Sequence, residues 1–135
     1  MVVDAEALVC NFLRSQSEVT TLCGDRVYTD MPHERTYPLV LVTRIGGTYS
    51  ITRPLWLDNA LVQLDAMGGT HKQAQALMGT CVEVLAGKGI GLHPEGAITG
   101  VTPDAIAYNP EPDFIDPQGH ARPRFTCTVY VLTHP

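Results

Sequence analysis

The chain has 135 residues, enough for one compact core and too few for two ordinary ones. Hydrophobic residues at 44% and charged residues at 17% exclude a disordered chain, and a chain of this size folds without a disulfide scaffold or a structural metal. Nine Lys and Arg against 14 Asp and Glu leave a formal charge of −5, with the cations scattered and no basic stripe, which argues against tight DNA or RNA binding through phosphates.

Asp4 has the chemistry of an N-cap, and Ala5, Leu8, Val9, Phe12 and Leu13 recur at helical spacing, predicting a helix over 4–15. Leu22-Cys23-Gly24-Asp25 reads as a turn and Arg26-Val27-Tyr28-Thr29 as a short strand. Pro32 and Pro38 bracket a polar connection, after which Leu39 to Ile45 is apolar and β-branched, a strand over 39–45 with Gly46-Gly47 as its stop. Periodicity is lost over 46–58 apart from a strand-like Tyr49 to Thr52, so a loop or hairpin arm is expected there.

Ala60, Val62, Leu64 and Ala66 alternate with a mixed second face, which predicts a strand over 60–67 ended by Gly68-Gly69. Thr70 and Gln73 have capping-box spacing, and Ala74, Leu77, Met78, Cys81, Val82 and Leu85 continue a helix over 71–86, with Gly87 as the residue that ends it. Gly87 to Gly96 reads as a glycine-rich turn, and 97–108 as a strand that Pro103-Asp104 interrupts. Pro110, Pro112, Pro117 and Pro123 among acidic residues predict a long loop over 109–123, since proline cannot donate within a sheet interior. Phe125, Cys127, Val129 and Val131 alternate along a closing strand over 124–132. The order implies one α+β domain over 1–135. Its sheet is mostly antiparallel, or mixed, packed by an N-terminal and a central helix, with long loop or hairpin arms.

Chemical motifs are weak. Gly87-Lys88-Gly89-Ile90-Gly91 lacks the ending of a phosphate loop and follows a helix instead of opening one. His33-Glu34-Arg35-Thr36-Tyr37 lacks the second His of a zinc-protease motif. Asp113, Asp116 and His120 are cation-ligand types, but a proline-rich loop needs acid simply to stay solvated. Cys10, Cys23, Cys81 and Cys127 are far apart and read as small buried thiols of a reducing cytoplasm. His71 and His93 read as capping or surface residues. No catalytic, cofactor-binding or metal site is expected, and with no export signal or apolar span near the N-terminus neither is membrane association. What remains is apolar residues in loops: Leu55, Trp56 and Leu57 in the arm, and Phe114 and Ile115 among Glu111, Asp113 and Asp116. They are candidates for contact with another chain, or for folding back on the domain's own core.

The arrangement resembles the tail-completion, or tail-terminator, proteins of long-tailed bacteriophages, also called tail-to-head joining proteins. The likeness runs through the Ala5 to Leu13 helix, Asp25-Arg26-Val27-Tyr28 and Tyr37-Pro38-Leu39-Val40-Leu41-Val42. It continues in Leu61 to Thr70 leading into Ala74-Gln75-Ala76-Leu77, and in the closing Arg124 to Val131 strand. The resemblance implies a non-enzymatic homo-oligomeric ring, commonly a hexamer, that caps the tail tube and offers a surface to the head-closure or connector protein, with DNA passing its lumen unbound. It implies a place in the virion at the head-proximal end of the tail, reached by assembly in the host cytoplasm. The alternatives are a head-closure or connector ring, or a small ligand-binding or hydrolytic α+β domain.

Overall fold

A computed structural model describes residues 3–49, 57–115 and 119–135, and shows the α+β architecture. Helix α1 (Ala5–Ser15) starts where the Asp4 carboxylate accepts the Ala7 N–H at 3.1 Å, and it buries Ala5, Leu8, Val9, Phe12 and Leu13, the predicted stripe, together with Cys10. Gln16 then breaks the helix with extended backbone, and a second helix, α2 (Ser17–Cys23), follows at once. Part of that helix was expected to be a turn. Only Val19 and Cys23 of its seven residues are buried, too few for a stripe, and the chain turns only at Gly24, at φ +63°.

Strand β1 (Val27–Tyr28) pairs parallel with β2 (Leu39–Tyr49), and β2 pairs antiparallel with β3 (Asp58–Met67). β2 passes through Gly46-Gly47 instead of stopping there. The two glycines build a bulge, with a register shift between Arg44 and Gly46 that leaves Ile45 as the extra residue. Gly47 has φ +106°, and a Cβ there would lie 2.3 Å from the Asn59 carbonyl oxygen, so the bulge requires glycine. Of the expected arm over 46–58, residues 46–49 and 58 therefore belong to strands; 50–56 lie outside the described residues.

Helix α3 (His71–Lys88) opens with the Thr70 hydroxyl accepting the Gln73 N–H at 3.1 Å, while Gln73 reaches back to the Gly69 N–H at 2.6 Å. It runs past Gly87 and is capped at Gly89 in ordinary helical conformation. Within the expected turn a short strand, β4 (Gly91–His93), pairs with β5 (Gly96–Pro103). The expected break at Pro103-Asp104 separates β5 from β6 (Ala107–Tyr108), and both lie along β9 (Arg124–His134). The expected loop over 109–123 instead carries a separate two-stranded sheet, β7 (Glu111–Ile115) with β8 (Ala121–Arg122). Of its prolines, Pro112 lies on β7, and Pro110 and Pro123 belong to no strand.

The main sheet runs β1-β2-β3-β9-β5-β4, with β3 and β9 central and in unbroken register from Asp58↔Thr133 to Met67↔Arg124. Period-2 alternation sends Val40, Val42, Val62, Leu64, Ala66, Cys127, Val129 and Val131 to one face, where they share a buried core with Leu8, Leu13, Leu77, Met78 and Cys81 of the helices. Among the described residues the helices pack on that face. All four cysteines are free and buried, and burial pushes the Cys81 thiol up to about 12.

Candidate assembly surface

The first requirement for a catalytic or metal centre is converging polar side chains. Among the described residues no group of three or more His, Cys, Asp and Glu side chains comes together as a cation would need. His71, the first residue of α3, packs in an aromatic trio with Tyr108 and Phe125 at centroid distances of 4.6 and 5.0 Å. His93 stands edge-on to Phe12, and its Nε2 lies 2.7 Å from the Gly89 carbonyl oxygen. A surface pocket of about 290 Å³ lies between α1 and the end of β1, lined by Ala7, Cys10, Asn11, Arg14, Tyr28, Thr29 and Asp30. Its one thiol, Cys10, is held protonated by burial and hydrogen-bonds the Val27 carbonyl at 3.3 Å, so it offers no nucleophile.

The most constructed polar feature sits at the root of the β2–β3 hairpin. Arg44 grips the fully buried Asp58 with both terminal nitrogens, Nη2 to Oδ1 at 2.8 Å. Its Nε donates to the Gly46 carbonyl at 3.0 Å, which closes the bulge, and its backbone N–H donates to the Glu6 carboxylate of α1 at 2.7 Å. One side chain thus ties the two strands together, while its backbone ties them to the helix layer. A second ion pair roots the other segment: Arg124 Nη1 donates to the Glu111 carboxylate at 2.5 Å, and its Nε donates to the Asn109 carbonyl at 2.8 Å.

The expected contact residues fall around these roots. Leu57 is half-buried immediately before β3, and Glu111 is half-buried in its ion pair with Arg124. Asp113, Phe114 and Ile115 lie on the β7 backbone, with side chains outside the described residues; Leu55, Trp56 and Asp116 lie outside them altogether. Of the ligand types Asp113, Asp116 and His120, only His120 has a described side chain.

Sequence reasoning passed over the face of the sheet that, among the described residues, no helix covers. One row of it crosses four strands, from Ile45 at the bulge through Leu61 and Tyr130 to Thr102. The neighbouring row is Thr43, Gln63 and Thr128, continued by exposed Asp104, whose N–H donates to the Thr128 carbonyl at 2.9 Å, and the next is Leu41, Asp65 and Thr126. Asp65 is only 4% exposed, and its carboxylate accepts from Gln63 Nε2 at 3.0 Å and Thr126 Oγ1 at 2.8 Å. The signal was present as the mixed second face of each alternating strand, polar and with Asp65 and Arg124 in it, and so not apolar enough to read as core.

The family described as Tail completion protein gp17 matches residues 7–115, most of the chain. No curated protein matches by sequence. Among solved structures, a chain in the virion of a native gene transfer agent particle superposes with a TM-score of 0.66. It is 14% identical, and the alignment covers 97% of this chain and 95% of that one, a likeness of fold. With the α+β domain in place and the family matched from α1 through β7, the chain belongs to the tail completion protein gp17 family, structural proteins of the bacteriophage tail and virion.

Proposed function

We propose that this chain forms a homohexameric ring that caps the phage tail tube, ends its elongation and joins the tail to the head-closure or connector protein, without catalysis. The family match over residues 7–115 carries this reading. A heterologous contact that closes by rotation makes a ring and stops, so termination needs only one face that accepts the last tube ring and another that accepts no further tube subunit. Segments 46–58 and 109–123 make these outside contacts, through Leu55, Trp56 and Leu57 in the first and Glu111, Asp113, Phe114, Ile115 and Asp116 in the second. The support is that each is rooted by an ion pair, Arg44–Asp58 and Arg124–Glu111, so each leaves the domain from a fixed base. At −5 per chain the ring is an acidic annulus through which DNA passes without sticking. It sits at the head-proximal end of the tail in the virion, after assembly in the host cytoplasm.

The test is a knockout examined by negative-stain microscopy. Overlong tubes with unattached heads are expected, whereas tails of normal length beside unattached heads move the protein to head closure. Deleting residues 111–121 is expected to impair joining or length control; unchanged tails and joining would remove the second segment from the contact.

A further inference from the structure

Arg122 differs from the other cations around the Tyr37-Pro38 turn. Its guanidinium lies over the Tyr37 ring, 4.2 Å from the centroid, and its Nε is closed off from solvent with no acceptor in reach. The neighbouring arginines are committed elsewhere. Arg26 Nε donates to the Pro38 carbonyl at 2.9 Å, Arg124 holds Glu111 and the Asn109 carbonyl, and Arg35 has an interaction of its own. Glu111 is the register partner of Arg122 across β7 and β8, yet its carboxylate goes to Arg124. Among the described residues no hydrogen bond or ion pair engages Arg122, and an arginine nitrogen buried without an acceptor calls for an explanation.

The side chain is also held in place. Pro123 is buried and its carbonyl accepts the Gly68 N–H at 3.1 Å, which pins the backbone beside Arg122 to the residue after β3. Tyr37 is half-buried and leads into buried Pro38 and Leu39, so the ring is a fixed shelf. A guanidinium stacked on a ring presents its N–H groups in one plane, a fork preset for a carboxylate, and partial burial strengthens the attraction. We propose that Arg122 on Tyr37 is a binding site for a carboxylate side chain presented by a partner protein, received across the terminal nitrogens. The site holds or fails separately from the ring reading. A nucleic-acid backbone is gripped by a row of cations, whereas here one uncommitted arginine stands in a chain of −5, so the charge fits a single carboxylate.

The experiment is heteronuclear NMR of the Arg122 Nε–H and backbone N–H in the purified full chain, titrated with acetylated tetraglutamate. Sodium chloride at matched ionic strength and a short DNA duplex are separate arms. A saturable shift with the peptide and none with chloride is the expected result. Arg122→Lys keeps the charge and loses the planar fork, so the peptide should bind it about tenfold more weakly, followed at the backbone N–H of residue 122. Where that variant lacks native circular dichroism, Tyr37→Leu removes the shelf and leaves the guanidinium, and should weaken binding about threefold. No saturable shift with the peptide, or a shift that chloride reproduces, would leave Arg122 as an anchor of the β7–β8 hairpin and overturn the proposal. Undiminished binding in the folded variant, or a stronger response to the duplex than to the peptide, would overturn it equally.

Discussion

At the scale of single residues, Asp58 shows how a surface arm is anchored from inside. Its carboxylate is fully buried and both its oxygens face Arg44, so removing it strands a guanidinium that also holds the bulge through the Gly46 carbonyl. Breaking a buried pair costs about 3–5 kcal/mol, and the Arg44 side chain, 22% exposed, recovers part of that by hydration. Asp58→Ala is therefore expected to lose about 3 kcal/mol in urea unfolding, with the double variant Asp58→Ala/Arg44→Met less unstable than the two single losses added; strict additivity would mean that the pair does not couple. Cys81 makes a different demand. Its thiol is near 9.0 when unfolded and about 12 when folded, so the native state keeps a proton that the unfolded chain gives up. The contribution is intact below pH 9.0 and is lost as pH rises toward about 12, so the urea midpoint should fall across that window, and less steeply in Cys81→Ala. The burial of Cys81 was legible from its place on the helix stripe, but the Arg44–Asp58 pair was not. Arg44 and Asp58 are separated by the bulge and the arm, and no local pattern pairs a strand arginine with an aspartate across a loop.

At the scale of elements, local chemistry decides the boundaries that were predicted well. Thr70 caps α3 through the Gln73 N–H, and Gln73 answers to Gly69, so Thr70→Ala should cost about 1 kcal/mol and lower the melting temperature by a few degrees. An unchanged melting temperature would mean that packing alone sets the helix start. The strands over 39–45, 60–67 and 124–132 and the helix over 71–86 were legible because one face of each is buried, and burial writes the period into the sequence. What was missed lacks that imprint. α2 buries two residues, β4 none, and β7 pairs only with β8, away from the core. Gly46-Gly47 misled for a related reason: a glycine pair marks a departure from regular backbone, and only the tertiary register tells a bulge from a stop. Gly47→Ala separates these readings, since a Cβ there meets the Asn59 carbonyl. It should destabilise the protein by more than about 1 kcal/mol, whereas a loop glycine would tolerate the change.

At the scale of the whole molecule, the sheet divides the surface into two chemistries. One side carries the helices with acids and bases intermixed; the other presents rows of Thr, Gln, Leu and Tyr with a sealed Asp65 and an exposed Asp104 at the edge beside Thr128. Such an arrangement makes opposite predictions for the salt dependence of self-association, according to which side is used. Contact through ion pairs weakens as salt screens them. Contact through a neutral face leaves salt only the net repulsion to act on, and with −5 on every copy that repulsion opposes assembly at low ionic strength. Raising salt from about 0.01 M to about 0.15 M shortens the screening length from about 30 Å to about 8 Å, so charges on well-separated parts of adjacent copies cease to repel. An oligomer held through the sheet face is therefore expected to strengthen over that range in sedimentation or light scattering. Dissociation by the same salt would place charged pairs between the copies and shift the contact to the helix side, where Arg14, Lys72 and Lys88 lie among the acids.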